Sequence, residues 1–337
     1  MILVTGGTGL LGSHLLFDLL RKGYEVSCLY HKEESRESIR RLFRIYAGTD
    51  ELYNKIRFIK GNILDADSIY AAMEGIETVF HCAALVSFQP KDKKDLFRIN
   101  VEGTANIVDA ALEKKVNKLC YVSSIAALGR ANGKGIIDES CEWTKSNKNS
   151  SYAISKYKGE LEVWRGIAEG LNAYIVNPSI ILGVGYPAKG SLLIVNTIFK
   201  GLKFYPSGSN GYVDVRDLSS AMILLMEKNV SGERFIINSE NIKYIDLFRM
   251  IALNLGISPP SIAMPYSIGS LYTGYQYLKS KIRGNQPLLT KETLNTCYQD
   301  YNYSNEKIIK YTNIKFTPVS ESFAFICKIF LDSFDNN

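Results

Sequence analysis

Residues 5–12 read Thr-Gly-Gly-Thr-Gly-Leu-Leu-Gly, directly after the apolar run Ile2-Leu3-Val4 and directly before Leu15, Leu16, Leu19 and Leu20 at helical spacing. This order predicts a strand, a tight turn and a helix N-terminus that meet at Gly6, Gly9 and Gly12. Free N–H groups and the positive end of the helix dipole gather at such a junction and favour a pyrophosphate. Glycines permit the turn and let phosphates approach the backbone with no Cβ in the way; Thr8, Leu10 and Leu11 complete the loop. The spacing is G-x-x-G-x-x-G, not the general G-x-G-x-x-G fingerprint. The alternative is a purely structural turn, and the strand-to-helix context favours nucleotide binding over it.

Further along, short apolar runs at 24–30, 56–60, 78–81, 118–123 and 173–177 alternate with helical patterns near 10–22, 34–46, 66–74, 92–115 and 150–169. Alternation of this kind predicts βαβ units and an α/β, doubly wound parallel sheet of Rossmann type, with strands buried on both faces. At 337 residues the chain has room for that domain, assigned to 1–177, and a smaller, mostly helical substrate lobe over 178–337 with segments that return to the sheet.

Composition excludes several classes. The net charge of +6 is spread along the chain, with no basic stripe or zinc-finger pattern to serve a nucleic acid. Cys28, Cys82, Cys120, Cys141, Cys297 and Cys327 contain no C-x-x-C pair, which predicts free thiols in a reducing, cytoplasmic setting. His14, His31 and His81 lack ligand spacing, so no metal is expected. The N-terminus enters a strand at once instead of a signal peptide, and no apolar run reaches the roughly 18 residues of a membrane span.

Ligands of an open parallel sheet bind beyond the carboxyl ends of its strands. Those ends offer 30–32, Asn62-Ile63, Cys82-Ala83-Ala84, Ser123-Ser124 and Asn177-Pro178-Ser179. Tyr152 and Lys156 then stand one helical turn apart on one face. An ammonium beside a phenol favours the phenolate and moves its pKa toward neutral pH. Tyr-x-x-x-Lys also starts at Tyr275, Tyr277, Tyr303 and Tyr311, but only Tyr152 follows a fifth-strand serine and opens a helix of the parallel half.

With these motifs in order, together with Asn100-Val101-Glu102-Gly103-Thr104 and Asn177-Pro178-Ser179-Ile180-Ile181-Leu182-Gly183, the chain resembles the extended short-chain dehydrogenase/reductase superfamily over nearly its whole length. The 177–183 segment and Leu289-Thr290-Lys291-Glu292 resemble its dihydroflavonol-reductase and 3β-hydroxysteroid-dehydrogenase branch. The resemblance implies Tyr152 as general acid/base, Lys156 as the ribose contact that lowers the Tyr152 pKa, and Ser124 as the hydrogen-bonding partner of the reacting oxygen. Ser123 reads as a strand-end backbone contact. Asn100 either organises the helix beside the site or makes a local backbone bond. Pro178 and Ile180 would meet the carboxamide, and Asn62 stands where the family usually has an Asp beside the adenine.

Departures from relatives narrow the reaction. Ile125-Ala126 follow Ser124 where dehydratases of the superfamily carry Asp-Glu, and Asn210 stands where epimerases often carry a phosphate-binding Arg. The reading is therefore an oxidoreductase interconverting an alcohol and a carbonyl on a small-to-medium, partly apolar molecule. The alternatives are a nucleotide-sugar epimerase with recycled cofactor and a non-catalytic redox sensor. Val86, Phe88, Leu128, Phe204, Tyr205 and Tyr212 are candidate pocket walls, with plain core packing the alternative for each. Tyr30 occupies the acidic position of NAD-preferring members, followed by His31, Lys32 and Arg36, so NADP is expected over NAD. Segment 266–283 carries an apolar stripe at Ile268, Leu271, Tyr272, Tyr275 and Leu278, followed by Lys279, Lys281 and Arg283. It is expected to pack on the substrate lobe, the commoner source of such a pattern; the alternative is a membrane-interfacial helix that admits a lipid-like substrate. Helices near 92–115 and 150–169 are the expected surface of a homodimer, as in the superfamily.

Overall fold

A computed structural model describes residues 1–129, 135–146, 149–185, 190–283 and 290–335, with the backbone alone at 275–283 and 334–335. The first six strands are β1 (Ile2–Thr5), β2 (Val26–Tyr30), β3 (Arg57–Lys60), β4 (Thr78–His81), β5 (Lys118–Val122) and β6 (Ala173–Pro178). After them come β7 (Ile180–Leu182), β8 (Phe204–Tyr205), β9 (Ser209–Asp214), β10 (Glu233–Ile237), β11 (Glu240–Lys243) and β12 (Ile262–Ala263). Seven of these form one sheet in the order β10-β6-β5-β4-β1-β2-β3, parallel at every pairing. The chain leaves β1 for one edge, returns to β4 on the other side of β1, and then builds outward through β5, β6 and β10. The order reverses between β1 and β4, where Thr5 lies beside His81. This is the doubly wound arrangement expected from the alternation.

Apolar faces explain the layers. Leu15, Leu16 and Leu19 of the Leu10–Arg21 helix pack with Phe43 and with Leu218 and Met222 of the Val215–Glu227 helix on one side of the sheet. Ile107, Val108 and Ala111 of the Gly103–Glu113 helix and Val163 of the Ser151–Ala168 helix cover the other. Full burial holds for β1, β5 and β6 but fails at β3, whose Arg57 and Lys60 are exposed. β3 is an edge strand, and edge positions take charge readily. The helix expected over 92–115 is interrupted by a π-bulge at Arg98–Glu102, between Lys93–Phe97 and Gly103–Glu113.

Beyond Pro178 the chain builds a second core around Leu192, Val195, Leu247, Ile251, Phe323 and Ile326. A small sheet β11-β9-β7 and the β12-β8 ladder accompany it. β10 returns to the large sheet and pairs Phe235 with Val176. All six cysteines are free.

The glycine turn is tight for a definable reason. A Cβ on Gly12 would run into the Gly6 carbonyl oxygen and lie 2.7 Å from Gly7 Cα, both backbone atoms, whereas one on Gly9 would come no nearer than 3.3 Å to anything. Gly12→Ala should therefore destabilise the protein by roughly 1–3 kcal/mol in urea titrations, the usual cost of overpacking. Gly9→Ala should cost far less, and equal losses for the two variants would contradict this geometry.

Candidate active site

The site begins where β1 and β4 end side by side. Gly6 has φ +69°, and a Cβ there would lie 2.5 Å from Ala83 N and 2.7 Å from the Cys82 carbonyl carbon. The glycine loop and the Cys82-Ala83-Ala84 turn thus touch backbone to backbone. Gly6 O accepts from Gly9 N–H at 2.9 Å, and Gly9 starts the Leu10–Arg21 helix with no side-chain cap. Helix-start N–H groups with no side chain over them are the donors a pyrophosphate needs.

A hydrogen-bond chain braces this junction from beneath. Thr104 donates its hydroxyl to Asn100 O at 2.8 Å, so it accepts from His81 Nε2–H at 3.1 Å. His81 Nδ1 then accepts from the Thr5 hydroxyl at 2.7 Å, and Thr5 Oγ1 accepts from Ala83 N–H at 3.3 Å. The sequence of donors fixes the His81 tautomer. Burial, with the nearby Lys156 charge adding to it, lowers the His81 pKa to about 3.

Asn100 sits in the π-bulge and bonds far beyond its own neighbourhood. Its Oδ1 accepts from Leu85 N–H at 2.8 Å, and its Nδ2 donates to Leu85 O and to Ser155 Oγ, both at 2.9 Å. Ser155 donates in turn to Tyr152 O at 2.8 Å. One amide therefore ties the turn after β4 to the helix that carries Tyr152 and Lys156.

That helix, Ser151–Ala168, is capped by Ser150, whose Oγ accepts from Ala153 N–H at 3.0 Å. Tyr152 is half-buried; Phe88 meets its ring edge-on at 5.5 Å, and the Ser124 side chain acts on its phenol. Burial raises the Tyr152 pKa, and the Ser124 side chain offsets part of that rise. The shift toward neutrality expected from Lys156 is not among the effects acting on the phenol in this state. Lys156 is 1% exposed; Nζ donates to Val122 O at 2.7 Å and lies 4.5 Å from the centre of the Tyr121 ring. Desolvation lowers its pKa to about 7, against the pull of Glu160 and Cys82. Ser124 Oγ also accepts from Ala126 N–H at 3.1 Å.

Glu160, one turn beyond Lys156, is a residue the motifs do not single out. Its Oε2 accepts from Ser123 Oγ at 2.7 Å and from Asn177 Nδ2 at 3.0 Å, and its Oε1 pairs with Arg234 at 3.1 Å. Ser123 is therefore a strand-end contact, N–H to Val176 O at 2.8 Å, whose hydroxyl serves the carboxylate. Arg234 continues to the carbonyls of Glu139 and Cys141, and Trp143 stacks on Tyr157 at 4.5 Å and 7°. Segment 135–146 is thereby fastened to the Tyr152 helix; the remainder of the 130–149 loop falls partly outside the described residues.

At the opposite end of the junction His31 and Lys32 are exposed beyond β2. The Arg36 guanidinium lies over the Phe58 ring at 4.1 Å and near Tyr30 at 5.4 Å, and it pairs with Glu33. Asn62 Oδ1 accepts from Leu64 N–H at 3.0 Å, and Asn106 Nδ2 donates to Ile63 O at 2.9 Å. Pro178 ends β6 and Ile180 begins β7, both on the Asn177 side of the site.

The candidate pocket walls divide. Phe88 stands against Tyr152, and Val86 is 63% exposed on the same loop. Leu128 is packed with Ile137, Ile236 and Tyr303, and Tyr212 is fully buried in the second core, so both are core side chains in this structure. Phe204 and Tyr205 lie on the β8–β12 ladder, Phe204 facing outward. Glu292, from the tail motif, accepts from Ser151 N–H at 3.5 Å; Leu289 lies outside the described residues. Among the described residues no cluster has the makings of a metal site.

Buried histidines set a pH dependence. Burial lowers His14, which bonds Leu10 O at 2.7 Å, to about 4, while an unfolded chain titrates it near 6.5. As pH falls, the unfolded state takes up the proton first, so the histidine's contribution is complete above about 6.5 and drains away toward about 4. Asp18 and Asp217, whose pKa values burial raises, act in the opposite sense, so a comparison with His14→Gln isolates the effect. Urea titrations should show wild type losing stability relative to His14→Gln across that window. Parallel curves would contradict it.

The chain is similar to known proteins over most of its length. The profile of the NAD dependent epimerase/dehydratase family matches residues 2–238. The chain is 26% identical over 328 residues to a dihydroflavonol 4-reductase-like protein of Synechocystis sp., covering 95% of this chain and 92% of the other. It is 30% identical over 256 residues to anthocyanidin reductase of Arabidopsis thaliana, covering 69% and 74%. The crystal structure of gox2253 superposes with a TM-score of 0.82 at 29% identity, covering 99% and 98%. The chain belongs to the NAD-dependent epimerase/dehydratase family, within the extended short-chain dehydrogenases/reductases.

Proposed function

We propose that this enzyme is an NAD(P)-dependent oxidoreductase that interconverts an alcohol and a carbonyl on a small-to-medium, partly apolar substrate. The observation that carries the reading is the Tyr152 phenol, which the Ser124 side chain acts on and Phe88 flanks, one helical turn from a buried Lys156. The glycine loop and the turn after β4 would hold the dinucleotide, whose nicotinamide supplies or accepts the hydride when bound. Tyr152 gives its proton to the carbonyl oxygen in reduction and takes one from the alcohol in oxidation. Ser124 fixes that oxygen by a hydrogen bond. The Lys156 ammonium stabilises the phenolate that Tyr152 leaves behind. Phe88 and Val86 present apolar surface to the substrate.

A nucleotide-sugar substrate is less well served. Asn210 is 4% exposed, and its Oδ1 accepts from the neighbouring Gly211 N–H at 2.9 Å. It offers no cation to a pyrophosphate.

Tyr152→Phe keeps the ring packing and removes the proton. Turnover on an aldehyde or ketone found by screening at the nicotinamide absorbance band should fall on the order of 10²–10⁴-fold, with cofactor affinity nearly unchanged. Lys156→Met should lower both. Near-normal turnover in Tyr152→Phe would refute the assignment.

For the cofactor, NADP is proposed over NAD. Tyr30 replaces the ribose-binding acid, and the Arg36 guanidinium lies 4.1 Å from the centre of the Phe58 ring, four residues after Lys32. Charge-assisted bonds to a 2′-phosphate contribute roughly 1.5–3 kcal/mol each. Exposure, salt and the Glu33 partner reduce this to about a 10- to 100-fold preference. Tyr30→Asp combined with Lys32→Ala should reverse it in calorimetric titrations at low salt. Equal or tighter NAD binding by the unmodified protein would contradict the assignment and leave the Tyr152 chemistry intact.

A further inference from the structure

The Tyr266–Arg283 helix carries its apolar stripe on the wrong side for a helix that merely packs on its lobe. Its inward positions are small: a Cβ on Gly269 would lie 2.8 Å from the Leu294 side chain, and Thr273, one turn on, is 7% exposed. Ile268, Leu271 and Tyr272, spaced to share the opposite face, are 54%, 76% and 47% exposed. At Ile268, Leu271 and Tyr272 the expectation that the stripe packs on the lobe is therefore corrected, while the side chains of Tyr275 and Leu278 lie outside the described residues. Glycine and threonine let the helix sit close to the Lys291–Cys297 helix, and that contact turns the large side chains outward. Ile262 and Phe204, paired across the adjoining β12–β8 ladder, are exposed as well, at 47% and 45%.

Charge is distributed just as unevenly. No Asp or Glu occurs between Asp246 and Glu292, while Arg249, Lys279, Lys281, Arg283 and Lys291 all fall in that interval. Three of these cations follow the exposed stripe within the same helix. Outward leucine, isoleucine and tyrosine followed in sequence by two lysines and an arginine, with no acid before Glu292, is the pattern of a helix that lies in the plane of a membrane interface. No helix among the described residues is long and apolar enough to cross a membrane. A second copy of the chain fits the face poorly, because a two-fold contact would set this acid-free segment against itself.

We propose that the outward face of the Tyr266–Arg283 helix docks on an anionic bilayer surface. The tyrosines and aliphatic side chains enter the interfacial layer, and the following cations meet lipid phosphates and carboxylates. This is independent of the Tyr152 chemistry, and binding is its readout.

The test is co-sedimentation of the full chain with phosphatidylcholine vesicles, with and without phosphatidylserine, at low and high salt. The protein should partition onto the phosphatidylserine vesicles, bind pure phosphatidylcholine at least about tenfold more weakly, and come off at high salt. Ile268→Ser with Leu271→Ser, and separately Lys279→Gln with Lys281→Gln, should each weaken binding about tenfold, with melting temperatures reporting that each variant is folded. The charge pair leaves the stripe intact, so it remains decisive if the serine pair does not fold. Absence of binding to phosphatidylserine vesicles would overturn the proposal, as would binding that neither pair of substitutions weakens. A dimer in sedimentation velocity that Leu271→Ser dissociates would overturn it too, by assigning the face to a second copy.

Discussion

Glu160 is 2% exposed, and a carboxylate at that depth is tolerated only if a cation and hydrogen bonds replace the water it has lost. Here Arg234, Ser123 and Asn177 supply them. Those three residues belong to β10, the end of β5 and β6, so one ion ties three neighbouring strands to the helix bearing Tyr152 and Lys156. Arg234 extends the same tie to the 135–146 segment. Removing one partner of such a pair typically costs about 3–5 kcal/mol, because the other is left buried without compensation. The Ser151–Ala168 helix and the 135–146 segment are therefore coupled through a single carboxylate.

Lys156 carries a second cost of burial. A buried ammonium is destabilising, and its pKa near 7 registers that strain. It is accommodated by the Val122 carbonyl, by the face of Tyr121 and by the charge of Glu160 one turn away. In this state burial also raises the Tyr152 pKa. Asn100 adds the geometric half of the arrangement. Its π-bulge lets one side chain reach both the Leu85 backbone and Ser155, and functional sites are where such bulges concentrate.

Local patterns were legible in the sequence, and long-range polar contacts were not. The glycine turn, the alternation of strands and helices, and the choice of Tyr152 among five Tyr-x-x-x-Lys occurrences rest on spacing and neighbours, which the chain displays directly. Glu160 and Arg234 are 74 residues apart, and nothing in either neighbourhood marks them as partners. Asn100 could be read two ways until the fold brought Leu85 and Ser155 within reach. Tyr212 and Leu128 look like pocket walls by composition alone, because apolar pockets and cores use the same residues. The Tyr266–Arg283 stripe has helical period on either reading, and only the small residues Gly269 and Thr273 opposite it reveal which side faces the protein.

The central claim is net hydride transfer with an exchangeable nicotinamide, and the most direct measurement is the cofactor content of the purified enzyme before and after turnover. The protein should emerge from gel filtration with far less than one nicotinamide per chain. With added NADPH and a carbonyl substrate, it should consume one reduced cofactor per alcohol formed. A full equivalent of nicotinamide that survives purification and returns unchanged after each turnover would contradict this account and assign the site to epimerisation.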